Sequence, residues 1–293
     1  MSTPLPPLSA FSIVKNAELL DYPIQASIRS VLPLCEEVVV NVGRSADRTL
    51  DVVRAIADRR VRVLEREWPE GYGSWMRELS AETNRAMDAC RHDWAVYLQA
   101  DEVLHEDDYP AIRSALVRAA ADARAEGLLF HYLHFEGSPE WVLWGRRRYR
   151  REVRIVRRSS GVRSVRDAQG FRIGAEERRP RVIRSGARIF HYGYLKSADG
   201  LQRKKRLFAR SVAAEEGENE PFRFRRYSGL RRFDGTHPAS AREWLAAHEW
   251  RFDPQTTLGP PLDLKTLKVR ISDAIEARTG RRLFEHRNYE MLR

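Results

Sequence analysis

The sequence predicts an α/β protein, a mainly parallel sheet flanked by helices, followed by a mostly helical C-terminal extension. Three observations carry this. Strand and helix signals alternate β-α-β-α-β-α-β through the first third of the chain, the order that builds a parallel sheet with helices on both faces. The strand segments include a continuous β-branched run, as expected of strands covered on both sides. From Ser197 onward helical patterns dominate. The expected division is therefore residues 1–196 for the α/β domain and 197–293 for the extension.

The elements follow in order. Phe11-Ser12-Ile13-Val14 reads as a short buried strand. Asp21-Tyr22-Pro23 reads as a helix start, with aspartate as cap and proline in the first turn, and Pro33 stops that helix after Leu32. Val38 to Val42 is the strongest strand, and Gly43 to Asp47 a turn whose aspartate caps a helix to about Ala57. Val61 to Glu65 alternates as a third strand, and Ser74 to Cys90 has helical spacing. Trp94 to Leu98 is a fourth strand, ending on Gln99-Ala100-Asp101-Glu102, and Glu106 to Ala125 is an alanine-rich helix. Beyond it, Gly127 to Phe135, Glu152 to Arg157 and Ala187 to Tyr192 are strand candidates. A polar loop falls at Glu215 to Glu220, and a Pro/Gly-rich stretch at Asp253 to Pro261.

Composition narrows the classes. Hydrophobic residues make up 42% of the 293, enough for a sizeable core and unlike a disordered chain. No apolar run approaches the roughly 20 residues that cross a bilayer, and MSTPLPPLSAF lacks the layout of a secretory signal. With Cys35 and Cys90 as the only cysteines, the expectation is a cytoplasmic protein with reduced thiols. The net charge of +11 comes mainly from arginine, which pairs with phosphate and carboxylate. Nucleotide diphosphates, phospholipid head groups and nucleic acid are the partners it admits.

In parallel sheets, ligands sit at the carboxyl ends of the strands. Lys15-Asn16, Asn41 to Asp47 and Gln99 to Glu102 all fall there. Acids such as Asp101 and Glu102 at a strand end suit a hard divalent cation bridging a diphosphate. The Gly-containing loop from Asn41 to Thr49 can hydrogen-bond a nucleobase and ribose ahead of a helix N-terminus. Trp141, Trp144 and Tyr149 lie among five arginines between Gly137 and Arg151. Arg148, Arg151 and Arg154 are candidates there for pyrophosphate or acceptor-phosphate contacts. His191, at the end of the last strong strand, is a candidate metal ligand. Arg203 to Arg206 and Arg223 to Arg232 form basic clusters that can face an anionic membrane, making the protein peripheral at the inner membrane face.

The order of these motifs resembles a family 2 glycosyltransferase with the GT-A, Rossmann-like fold. The resemblance runs from Phe11-Ser12-Ile13-Val14-Lys15-Asn16 through Ser30 to Pro33. Gly43-Arg44-Ser45-Ala46-Asp47-Arg48-Thr49 is similar to the family's G-S-x-D-x-T loop, and Gln99-Ala100-Asp101-Glu102 to its D-x-D-E segment. It covers about the first 110 residues. It implies a nucleotide-diphosphate sugar donor near Asn16, Glu18, Asn41, Asp47 and Gln99. It also implies a divalent cation, Mn or Mg, on Asp101, joined by a late histidine, His191. The acceptor would be a hydroxyl of a saccharide, a lipid-linked sugar or a metabolite, as in polysaccharide biosynthesis. Asp167, in a turn of the second half, would be the general base of an inverting transfer, with Glu176 and Glu177 as rivals. Two departures stand out: Gln99 replaces the first aspartate of D-x-D, so the second ligand could be Glu102 or His191, and Asn41 replaces a common aspartate.

Three other readings compete. A sugar nucleotidyltransferase should carry a glycine-rich loop after the first strand, and Val14-Lys15-Asn16-Ala17-Glu18 has no glycine. A nucleic-acid-binding protein is suggested by charge alone, with no module to support it. A GT-A domain that binds without catalysis follows if Gln99 weakens the metal site.

Overall fold

The computed structural model describes residues 4–68, 75–209, 222–227, 229–250, 252–260, 264–280 and 287–292. The expected loop at 215–220 lies outside them. The N-terminal part alternates as anticipated: β1 (Leu8–Val14), α1 (Ile24–Val31), β2 (Glu37–Gly43), α2 (Thr49–Arg54), β3 (Val61–Arg66), α3 (Trp75–Asp88) and β4 (Trp94–Tyr97). Then come β5 (Glu102–Leu104), α4 (Tyr109–Ala121), β6 (Gly127–Glu136), β7 (Ser138–Leu143), β8 (Arg151–Arg157), β9 (Val162–Val165), β10 (Gly170–Ile173) and β11 (Arg181–Tyr194). The C-terminal part holds α5 (Ala198–Ala209), β12 (Leu230–Arg232), α6 (Arg242–Ala246), α7 (Leu264–Thr279) and β13 (Glu290–Met291).

Strands β4, β1, β2 and β3 are parallel neighbours. The sheet turns mixed beyond β4, where β8 pairs antiparallel with both β4 and β6, while β11 runs parallel to β6 and antiparallel to β5. The full path is β12-β7-β6-β8-β4-β1-β2-β3. All seven residues of β2 are buried; the core on one side of the sheet includes Ile28 of α1, Val53 of α2 and Leu116 of α4, and the core on the other includes Ala86 and Met87 of α3. The β9–β10 hairpin adds Val162 and Phe171 to that second core. Cys35 and Cys90 sit in separate cores as free thiols, and burial pushes the Cys90 thiol up to about 12.

Some elements differ from expectation for identifiable reasons. Asp21 does not cap α1: its backbone is left-handed at φ 50°, Pro23 precedes the helix, and its carboxylate instead accepts from Trp244 Nε1 and His248 Nε2. The anticipated helix from Glu106 opens as a 3-10 turn, since buried Asp108 is drawn to Arg188, and it ends at Ala121. Residues past 196 also return to the sheet. β12 pairs with β7 and β13 with β11, and Asn288 donates to Glu152.

Candidate functional site

The loops after β1 and β2 are stitched into one unit. Asn16, at φ 55°, accepts from Ala46 N on its side-chain oxygen (2.8 Å) and donates its own N–H to Ser45 Oγ (3.0 Å). Leu19 N and Thr49 N both donate to Asp47, and Ala17 N donates to Thr49 Oγ1. Glu18 is held by Arg48 at 2.7 Å. Asn16, Glu18 and Asp47 therefore fix the shape of the loops at this sheet edge by bonding to each other's backbone.

Asn41 corrects the sequence expectation. It is fully buried, its amide donates to the Glu82 carbonyl and carboxylate (3.0 and 2.8 Å), and its oxygen accepts from Trp68 Nε1. Its amide is spent on Glu82 of α3 and its oxygen on Trp68, so it anchors these groups and has none left for a nucleotide.

The end of β4 is the centre of the arrangement. Gln99 donates its side-chain amide to Ala168 O (3.4 Å), and Ser27 Oγ donates to Gln99 O. The next acid, Asp101, is 7% exposed, and Tyr192 N donates to its carbonyl, so β11 is clamped against it. His191 on β11 brings Nε2 to 3.8 Å from Asp101 Oδ2, and Lys204 on α5 brings Nζ to 3.5 Å from the same oxygen. Burial pushes the Asp101 carboxyl up, but His191, Lys204 and Lys196 together outweigh it and hold it below the usual aspartate range. Burial lowers the Lys196 ammonium to about 8, and the like charge of Lys204 adds to this. The result is a carboxylate set among cations, a balance suited to an anion that needs both positive charge and a fixed register.

Glu102 is not available as a ligand. It and Arg154 are both fully buried and form a bidentate pair at 2.8 Å and 2.8 Å, with Tyr132 Oη donating to the same carboxylate at 2.7 Å. Arg154 lies between the rings of Tyr97 and Tyr132, so the expectation that it meets a phosphate is also corrected. Arg151 opens β8, where it is paired in register with His131 and is half-buried. Arg148 does approach the centre: it stacks at 3.6 Å on Tyr194, whose ring neighbours His191, and pairs with Glu136 at 3.0 Å.

Asp167 sits in the β9–β10 turn, half-buried, between Arg166 and Ala168, which both hold left-handed backbone. The carbonyl of Ala168 is the one that Gln99 reaches, so this turn abuts the end of β4. Glu176 and Glu177 are exposed beyond the far end of β10.

The donor chemistry fits a divalent cation. His134 Nε2 lies 2.7 Å from the Tyr149 carbonyl, which can only accept, so that nitrogen carries the proton. Burial holds His134 well below the usual histidine range, and a proton on His191 would lower it further. Its neutral Nδ1 must then accept from His191 Nδ1 at 3.1 Å. Burial holds His191 below the usual histidine range as well, so the ring is neutral and its lone pair lies on Nε2, the nitrogen nearest Asp101. In front of both groups is Gly193, where a Cβ would fall 2.5 Å from Asp101 Oδ2 and 2.7 Å from the His191 ring. A cradle with one hard oxygen and one imidazole is thus kept open. The described residues offer no cluster of three ligands, so the remaining positions on a cation would belong to water or a bound anion.

Sequence reasoning missed Lys204, Lys196, Gly193 and His134. Lys204 was in the run read as a basic outer face. Its signal was Leu201, buried three residues earlier on the same helix face.

The model of glycosyl transferase family 2 matches residues 22–173. Among solved structures, glucosyl-3-phosphoglycerate synthase from Mycobacterium tuberculosis, in complex with Mn2+, uridine diphosphate and phosphoglyceric acid, is 20% identical with a TM-score of 0.32, covering 43% of this chain and 43% of its own. A mannosyltransferase from Pyrobaculum calidifontis, in complex with GDP-Man and Mn2+, is 20% identical with a TM-score of 0.33, over 46% of this chain and 37% of its own. TarS of S. aureus is 17% identical with a TM-score of 0.39, over 72% of this chain and 41% of its own. This chain thus covers less than half the length of each of these structures. No curated protein sequence matches.

Proposed function

Because the chain belongs to glycosyl transferase family 2, we propose that it transfers a sugar from a nucleotide-diphosphate donor onto an acceptor hydroxyl. The observation that carries this reading is the convergence of His191 and Lys204 on one oxygen of Asp101 at the end of β4. On this reading the diphosphate lies over the cradle at Gly193, with Lys204, Lys196 and Arg148 supplying positive charge to it. Asp101 and His191 would hold a divalent cation, Mn or Mg, which when bound neutralises charge on the leaving diphosphate. The stitched loops of Asn16, Glu18 and Asp47 would form the wall for the nucleoside, and Gln99 the floor beside it.

Asp167 would take the proton from the acceptor hydroxyl as that oxygen attacks the anomeric carbon, with inversion. Its turn touches Gln99 through Ala168, which favours it over Glu176 and Glu177. No helix of the described residues is long and apolar enough to cross a membrane, and we place the reaction in the cytoplasm, with a saccharide, lipid-linked sugar or metabolite as acceptor.

The test is to incubate the protein with sugar nucleotides and candidate acceptors and follow nucleoside diphosphate release and the anomeric configuration of the product. Transfer that Asp101→Ala abolishes supports the reading, and Asp167→Asn should reduce turnover while leaving donor binding intact. Donor binding without any transfer or hydrolysis, for every sugar nucleotide tried, would instead indicate a domain that binds only.

A further inference from the structure

Helix α7 is oriented against the usual rule. Its acids face the protein: Asp273 pairs with Arg146 at 3.7 Å, and Glu276 pairs with Arg150. Thr266, on the same face, is buried and accepts from Arg147 at 3.0 Å. Its large apolar residues face outward, with Leu264, Leu267 and Ile271 76%, 52% and 52% exposed. Their spacing of three and then four residues makes them one stripe. Leu258, also exposed, lies nearby in the fold, since its carbonyl accepts from Arg226 N, and Arg226 lines one cavity with Arg270 of α7.

Among the described residues, the charges flanking the stripe have one sign. Lys268 and Arg270 flank it on either side, both are exposed, and neither pairs with an acid among the described residues. Inward ion pairing has removed both acids of α7 from this surface. An outward apolar stripe with a cationic rim would not suit a second copy of the same face, because the rims would repel in a two-fold contact. It does suit an anionic lipid surface, which accepts leucine and isoleucine side chains at the acyl boundary and attracts lysine and arginine at the head groups.

We infer that the outward face of α7 docks the protein on an anionic membrane, with Leu264, Leu267 and Ile271 inserted and Lys268 and Arg270 on the head groups. The helix lies in the interface and does not span it. The inference goes beyond the sugar-transfer reading and does not depend on the Asp101 centre.

Co-sedimentation with phosphatidylcholine vesicles, with and without phosphatidylglycerol, tests it on the full chain. The wild type should bind the anionic vesicles and not the neutral ones, and added salt should weaken binding. Lys268→Glu with Arg270→Glu should reduce partitioning by roughly thirtyfold or more. Leu267→Ser with Ile271→Ser should reduce it by at least about tenfold. Both pairs are exposed, so unchanged circular dichroism and unchanged nucleotide binding are expected in each variant. Absence of binding to anionic vesicles would overturn the inference, as would binding that survives both variants. Self-association in lipid-free solution that the Leu267/Ile271 variant abolishes would also overturn it, assigning the face to a second copy of the chain.

Discussion

Lys204 Nζ stands 3.5 Å from Asp101 Oδ2, the oxygen that His191 Nε2 approaches at 3.8 Å. On the proposed reading, Lys204 therefore competes with a divalent cation for one carboxylate oxygen. Lys204 is a counter-ion of Asp101, and its positive charge would oppose entry of a divalent cation. A diphosphate would change that balance, because it would offer Lys204 another anion and give the cation further oxygens.

Lys204→Met should consequently raise the affinity for Mn2+ in the absence of nucleotide by about tenfold or more, given the size of a like-charge repulsion at this range. The same variant should weaken binding of a nucleoside diphosphate without metal. Isothermal titration of each ligand alone checks both. Unchanged affinity for both would show that Lys204 is a bystander.

His134 acts through His191, as a positioning residue. Its Nδ1 holds the His191 Nδ1–H and so directs the lone pair of Nε2 toward Asp101. His134→Leu is expected to weaken Mn2+ affinity of the nucleotide-saturated protein by about 10- to 100-fold. Manganese paramagnetic resonance reads this directly, and an unchanged affinity would place the His191 tautomer under some other control.

Asn41 offers a reversal test. The family resemblance expects aspartate there, yet the Asn41 amide donates to the Glu82 carboxylate at 2.8 Å in a fully buried setting. Asn41→Asp would face one buried carboxylate with another. The expected cost is about 3 kcal/mol in urea unfolding, with no gain in nucleotide affinity. A variant as stable as the wild type would contradict the assignment of Asn41 to α3.

Glu152 gives a pH signature. Burial pushes its carboxyl up to about 7, against the hydrogen bonds from Gln169 and Asn288 and the charge of Arg154, which lower it. The folded value lies above the unfolded one, so its contribution to stability is complete below about pH 4.5 and is lost as pH rises through about 7. Glu152→Gln should match the wild type near pH 4.5 and exceed it by on the order of 3 kcal/mol at about pH 8. A difference that does not vary with pH would refute this.

The parts of the fold that were legible in the sequence are those set by local pattern. Val38 to Val42 could only be a strand covered on both faces, and it is. The placing of Asp101 at a strand end followed from Trp94 to Leu98 in the same way. What pairs across long separations was not legible. Arg154 reads as one more arginine in a basic stretch until the fold brings it to Glu102, fifty-two positions away. Strand β9 has four residues and β13 only two, too few for periodicity to show. The excess of arginine misled for one reason: Arg154, Arg188 and Arg150 are bound in ion pairs, so much of the charge that suggested external anions holds the protein together. Lys204 was hidden in the reverse sense, a member of a basic run that turns inward.

The most direct test of the central claim is thermal unfolding in the presence of uridine and guanosine diphosphates, with and without Mn2+, on the wild type and Asp101→Ala. A ligand that binds only the folded state raises its stability by mass action, by about 2.7 kcal/mol at a hundred times the dissociation constant. The account predicts a shift with one of these nucleotides that grows with Mn2+ and disappears in Asp101→Ala. A shift of equal size in Asp101→Ala would contradict it, placing the nucleotide away from the end of β4.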